Sequence, residues 1–341
     1  MLSEDDEELL KLVQSLRIRI SIIGCGGGGS NTIRRITQAG VTGATIVACN
    51  SDARHLLSIQ APNKILLGKG TTKGLGAGAI PEVGQRAAEE SEPELRRFIE
   101  GANIVFVTAG MGGGTGTGSA PVVAEMARRY GALVIGVVTL PFKAEGKLRM
   151  ENAMKGLSRL QEHCDTVIVI QNERLLEIVP KLPIEAAFKV ADEVLMQSIK
   201  GITEVLTKPG LVNVDFNDIM TITKNAGLAM IGLGESDSDD ERIDKAVGEA
   251  MSSPLLGEVD LHEAKGALVR VVGGPDMTVA EAERAAELVS EKVNPRARII
   301  WGCSVEPEAT GRVRVLVVIT GVRSGALAPK TEPSRQQPRT R

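Results

Sequence analysis

The sequence predicts an α/β protein: a three-layer domain built on a parallel sheet, joined by a long central helix to a smaller α+β domain. Three observations carry this. Through residue 182, short apolar runs alternate with helical patterns, the signature of strand–helix–strand units. Residues 183–207 then hold one helical pattern without a break, ending near Pro209 and Gly210. Beyond it, strands and helices follow in a less regular order. The expected divisions are an N-terminal helical extension (1–16), the parallel-sheet domain (17–182), the central helix (183–207), the α+β domain (208–323) and a disordered tail (324–341).

Composition sets the outer bounds. A chain of 341 residues is long enough for two domains. It is 43% hydrophobic and 24% charged, with mean hydropathy +0.03, as expected of a soluble globular protein. One Trp, one Tyr and five Phe leave the core to Val, Ile, Leu and Ala. A net charge of −3 argues against a general nucleic-acid binder. No apolar run approaches the roughly 18 residues a membrane span needs, so no membrane insertion is expected. The acidic start, Glu4 to Glu8, is unlike a secretory signal. Cys25, Cys49, Cys164 and Cys303 form no CxxC pair and read as small buried residues of a reducing cytoplasm. The three histidines are scattered, so no metal motif is present.

Taken in order, residues 3–16 form an amphipathic helix with Leu9, Leu12, Val13 and Leu16 on one face. Residues 19–23 are the first strand, followed by the glycine loop 24–31 (GCGGGGSN) and a helix from about Thr32. Residues 45–49 are the second strand, and 65–67 a short third. A further glycine loop, 74–78, precedes a helix opened by Pro81. It reads equally as a flexible connection, a flap or a phosphate contact. The buried strand 103–108 leads into residues 112–121 (GGGTGTGSAP), with a helix expected over 122–130. Residues 132–139 and 167–170 are further buried strands, separated by a long helix reaching about His163. In the second domain, Ser238 to Glu241 and Thr278 to Glu281 each have the spacing of a capping box, in which hydroxyl and carboxylate satisfy free helix-end N–H groups. Strands are expected at 229–232, 267–272, 298–305 and 312–320, the last two joined by a charged turn.

The chemistry concentrates on the carboxyl edge of the sheet, where such folds bind ligands. The segment 112–121 joins a strand's end to a helix's start. Helix N-termini present unpaired N–H groups and a positive dipole end, and so attract anions. Five glycines in the seven residues 112–118, with hydroxyls at Thr115, Thr117 and Ser119, exceed what a tight turn requires. The expectation is a phosphate cradle, in which a side chain at Gly114 would occupy phosphate space and leave the fold intact. Gly24, Gly26 and Gly29 also satisfy G-x-G-x-x-G, and Asp52 lies where a nicotinamide site places its ribose-binding acid. A nicotinamide-dependent dehydrogenase is therefore a rival. The sequence contains no G-x-x-x-x-G-K-[ST], so the chain is not a P-loop NTPase.

Together, GCGGGGSN (24–31), GGGTGTGSAP (112–121), PFKAEGKLR (141–149) and NVDFND (213–218) resemble the FtsZ family, the prokaryotic tubulin homologues of cell division. The resemblance runs from about residue 17 to 322. It implies a GTPase that assembles head-to-tail into protofilaments of the division ring, in the cytoplasm at midcell. By motif it implies phosphate contacts from Gly26, Gly27, Gly28 and Asn31 and from Gly112, Gly113, Gly114, Thr115, Gly116, Thr117 and Gly118. Asn50, Gly76, Ala77 and Gly78 would join them. Glu145 and Arg149 would lie by the ribose and phosphates, and Asn172, Phe188 and Asp192 would hold guanine. A carboxylate such as Asp192 can accept from guanine N1–H and the exocyclic amine, which adenine lacks.

Asp215, Asp218 and Asn213 would be catalytic, acting on the nucleotide of the neighbouring subunit, while their local reading is turn and cap residues. Mg²⁺ would ride on the phosphates. A nucleotide-gated scaffold with little hydrolysis is the non-enzymatic rival. The family often ends in a partly apolar peptide that docks on tethers or regulators, and the tail here, QQPRTR, has no such cluster.

Overall fold

The computed structural model describes residues 18–178, 183–208, 214–237, 241–257 and 259–323. The expected N-terminal helix, Asn213, Ser238 and the tail lie outside the described residues.

Among the described residues, ten strands form one sheet. They are β1 (Ile20–Cys25), β2 (Ala44–Asn50), β3 (Asn63–Leu66), β4 (Ile104–Gly110), β5 (Leu133–Leu140), β6 (Thr166–Gln171), β7 (Gly227–Ser236), β8 (Gly266–Gly273), β9 (Arg298–Val305) and β10 (Val313–Thr320). Their order is β3-β2-β1-β4-β5-β6-β7-β10-β8-β9. The first six strands are parallel, in the doubly wound order. The apolar runs read as strands are continuous because both sheet faces are covered. Successive residues point to opposite faces. Ile22, Phe106, Ile135 and Ile168 enter one core, and Ile23, Val105, Val107, Val134 and Val167 the other.

Eleven α-helices lie among the described residues: α1 (Gly26–Gln38), α2 (Ala53–Ser58), α3 (Pro81–Glu90), α4 (Glu92–Ile99), α5 (Thr115–Arg129), α6 (Lys147–His163), α7 (Asn172–Ile178), α8 (Ile184–Thr207), α9 (Phe216–Thr223), α10 (Arg242–Met251) and α11 (Val279–Lys292). The central helix α8 packs Leu195, Ile199 and Ile202 into the core shared with Ile22 and Phe106. The opposite core takes Val123 and Met126 of α5 and Leu157 of α6. The capping box predicted at Thr278 and Glu281 is formed. All four cysteines are buried and form no disulfide with one another.

Two expectations change. First, α1 and α5 begin at Gly26 and Thr115, well before Thr32 and Val122, so much of each glycine run is helix and Pro121 lies inside α5. Glycine has low helix propensity, but here it permits close packing. A Cβ at Gly118 would lie 1.9 Å from the Pro81 carbonyl oxygen, and one at Gly29 would lie 2.4 Å from that of Thr108. Second, the two halves share one sheet, because β6 pairs in parallel with β7 from Thr166↔Gly227 to Ile168↔Ala229. β9 and β10 form where two strands were expected, consecutive in the chain but not neighbours in the sheet. β10 is antiparallel to β7 and β8, and β9 is parallel to β8 at the edge.

Candidate active site

The connections leaving β1 and β4 run to opposite sides of the sheet, so a crevice opens between these adjacent strands at their carboxyl ends. α1 starts directly after β1, and α5 starts five residues after β4 ends at Gly110. Two helix N-termini thus converge on one cleft of about 360 Å³. Their unpaired N–H groups and dipoles make this end of the cleft suited to an anion. Gly27, Gly28, Asn31, Gly78, Gly113, Gly114, Thr115 and Gly116 line it. A Cβ on Gly27 or Gly113 would meet no heavy atom within 4 Å, so these two glycines face open space.

The other end is built by α7 and the start of α8. Asn172, Phe188 and Asp192 line it, together with Ala191. Asn172 is 4% exposed and its Oδ1 lacks a hydrogen-bond partner among the described residues. A buried amide oxygen left unpaired costs about 1–3 kcal/mol, so it suits a ligand donor. Phe188 packs edge-on against Phe142, with ring centroids 5.0 Å apart, and is otherwise 39% exposed. Burial pushes the Asp192 carboxyl up to about 6, and the Arg35 guanidinium, then Arg34, opposes that rise. Glu145 accepts from Phe142 N–H at 2.9 Å and pairs with Arg149, fixing both along the cleft wall.

Several predicted residues do not line the cleft. Gly112 donates its N–H to Thr117 Oγ1 at 2.8 Å, so both serve to close the loop. Gly118 abuts Pro81, and a Cβ at Gly26 would lie 2.5 Å from Gly116 N. Asn50 is buried and bonds His55 through Nδ2 at 3.0 Å. Gly76 N–H donates to Ser51 O at 3.1 Å, and the Ala77 carbonyl accepts from Ile80 N–H at 3.2 Å. The 74–78 loop is tied to the cradle, since Gly114 N–H donates to Gly78 O at 2.8 Å. The expectation for Gly114 is therefore corrected: a Cβ there meets Gly78 O at 2.5 Å and Ala77 O at 2.7 Å, which is backbone and not ligand space.

Asp215 and Asp218 are exposed and form a reciprocal capping box on α9: Asp218 N–H donates to Asp215 Oδ1 at 2.9 Å, and Asp215 N–H to Asp218 Oδ2 at 3.0 Å. Neither lines the cleft. Asp52 caps α2 by accepting from Arg54 and His55 N–H through Oδ1, and it does not line the cleft. Gly110, Met111, Thr139, Pro141 and Ala191 line the cleft and were missed. Thr139 could have been found as a carboxyl-end residue of the strand beside β4, and Ala191 as the i+3 neighbour of Phe188.

The family model for the Tubulin/FtsZ GTPase domain matches residues 19–180, and that for the FtsZ C-terminal domain matches 227–323. "Cell division protein FtsZ 1" of Pyrococcus furiosus is 54% identical over 98% of this chain and 90% of its own length. The chain belongs to the FtsZ family. Its relatives include the protein of the same name from Archaeoglobus fulgidus, 53% identical over 94% of this chain and 86% of that one. An empty FtsZ dimer from M. jannaschii superposes with a TM-score of 0.89 at 52% identity, covering 94% of this chain and 93% of that chain. A CetZ2 protofilament from Haloferax volcanii, at 24% identity and TM-score 0.75, shares the fold. As an FtsZ-family protein with the family's GTPase domain, the chain is a cell-division GTPase, and the dehydrogenase reading is withdrawn. No helix among the described residues is long and apolar enough to cross a membrane.

Proposed function

We propose that the cleft binds GTP and that hydrolysis is completed between subunits of a head-to-tail filament of the division ring. The first-turn N–H groups of α1 and α5 hold the phosphates, with Gly27 and Gly113 leaving room for them. Asp192 accepts from guanine N1–H and the 2-amine, Asn172 offers its buried amide, and Phe188 offers a ring face to the base. Arg149, anchored by Glu145, flanks the ribose and phosphates.

The observation that carries the intersubunit reading is the distance between the cleft and the acidic pair. Asp192 lines the cleft, while α8 runs on to Thr207. At about 1.5 Å per residue, those 15 residues carry the chain roughly 22 Å away before Asp215 is reached. A group at the far end of its own domain can serve the next molecule in a heterologous contact, which propagates as a filament. There Asp215 and Asp218, with Asn213, orient the attacking water. Phosphoryl transfer depends on such positioning and on charge compensation.

No group of three or more His, Cys, Asp or Glu among the described residues could hold a metal ion. A divalent cation therefore fits as a phosphate-bound, largely hydrated Mg²⁺, which would neutralise phosphate charge. In the assay, GTP turnover per molecule is followed against protein concentration, then with increasing Asp218→Asn protein mixed in. The expected result is turnover rising above a threshold concentration and falling in the mixtures by more than dilution. Constant turnover per molecule with additive mixing would place the whole site in one chain and overturn the proposal.

A further inference from the structure

Asp192 sits in a contradictory place. It must be a carboxylate to accept two N–H groups, yet burial favours its neutral acid form. Arg35, in the last turn of α1, faces it. Its Nε lies 3.8 Å from Asp192 Oδ2, an ion-pair distance but not a hydrogen bond. That Nε is buried and has no hydrogen-bond partner among the described residues. The guanidinium is anchored elsewhere, through Nη1 to Glu193 Oε2 at 3.3 Å, and Glu193 in turn accepts from Gln197. So the cation is near enough to favour the charged form of Asp192, yet too far to occupy its lone pairs.

We propose that Arg35 is a positioning residue for guanine recognition: it holds Asp192 ionised while leaving both carboxylate oxygens free for the base. This rests on the reading of the cleft as a guanine nucleotide site. The charged groups around Asp192 agree with it. α1 contributes Arg34 and Arg35, and α8 contributes Glu193, whose charge is directed to Arg35. α7 contributes the neutral Asn172, and on the cleft wall Glu145 is paired with Arg149. Arg35 is thus the main cation opposing the effect of burial.

The sign of the pH dependence follows. Guanine binds the ionised carboxylate, so affinity is full at high pH and is lost as pH falls through the carboxyl's titration near 6. Removing an opposite charge at this distance moves that titration up by about one unit or more. The test is GDP affinity from pH 5.5 to 8.5 for the unmutated chain and for Arg35→Gln, Arg35→Lys and Asp192→Asn, each checked for folding by circular dichroism.

The unmutated protein should lose affinity only below about pH 6. Arg35→Gln should lose it about one unit higher, be about two-fold weaker at pH 7 and recover near pH 8.5. Arg35→Lys should stay close to the unmutated profile. A purely structural role for Arg35 would weaken binding equally at every pH, and that result, or an unshifted profile, overturns the proposal. If Arg35→Gln does not fold, Arg35→Met, which keeps the stem and removes the charge, takes its place: a profile falling about a unit early supports the proposal, and an unshifted one overturns it. If Asp192→Asn still prefers GDP to ADP and IDP as the unmutated chain does, the guanine reading itself fails and the proposal falls with it.

Discussion

Gly113→Val and Gly114→Val should behave oppositely, and the difference follows from adjacent backbone geometry. A Cβ at Gly113 meets nothing within 4 Å, and the residue lines the cleft. Valine there should change folding stability by no more than the ~0.5 kcal/mol usual for such sites. It would, however, fill the space before the α5 N-terminus. Losing two charge-assisted N–H contacts at about 1.5 kcal/mol each removes roughly 3 kcal/mol of binding. That is about 100-fold in Kd. At Gly114 the Cβ would lie 2.5 Å from Gly78 O and 2.7 Å from Ala77 O, so valine must displace backbone. Overpacking of this kind costs about 1–3 kcal/mol of stability. The assays are thermal denaturation without nucleotide and GTP titration by calorimetry. A Gly113→Val protein with unchanged GTP affinity, or a Gly114→Val protein as stable as the parent, would refute the reasoning.

Asp215→Asn and Asp218→Asn should separate capping from catalysis. Asparagine caps as well as aspartate, so melting temperature should change little, while GTP turnover should collapse with GTP affinity retained; a melting shift without loss of turnover would leave only the cap role. Asp192 carries a folding cost, because its carboxyl is raised from 3.8 to about 6 in the folded chain. The folded state therefore binds protons more readily, and stability falls as pH rises from about 4 to 6. Asp192→Asn should accordingly stabilise the nucleotide-free protein at pH 7.5, by up to about 3 kcal/mol, and hardly at all at pH 4. Equal melting shifts at both pH values would count against this. Arg270 pairs with Glu204 at the junction of α8 and β8, where both are nearly fully buried. Glu204→Ala strands that cation and should cost about 3–5 kcal/mol, read as a lowered denaturant midpoint. Phe106, wholly buried in the sheet's centre, should cost a similar ~3–5 kcal/mol as Phe106→Ala.

The local physics of the chain determined a good deal. Short unbroken apolar runs rich in Val and Ile, such as 104–107 and 133–138, fit strands covered on both faces, so the parallel sheet and its helical layers were legible. The helical pattern of 183–207, unbroken up to Pro209 and Gly210, made the central helix legible. Glycine-rich strand ends marked the anion site, because a strand-to-helix junction carries its chemistry in the backbone. Phe188 and Asp192, one helical turn apart, were already on one face.

Only the tertiary structure decided which glycines face the ligand. Gly113 and Gly118 look alike in sequence, yet one opens on the cleft and the other abuts the Pro81 carbonyl. That difference depends on α3, a helix some thirty residues earlier in the chain, which no local pattern encodes. The early starts of α1 and α5 have the same origin, since packing against neighbouring backbone overrides glycine's poor helix propensity. The continuity of the sheet through β6 and β7 joins residues about sixty apart in sequence. The ion pair from Arg35 to Asp192 joins residues more than 150 apart. Burial and charge at such sites are set by what the fold brings together, and the sequence carries them only through the whole of that fold.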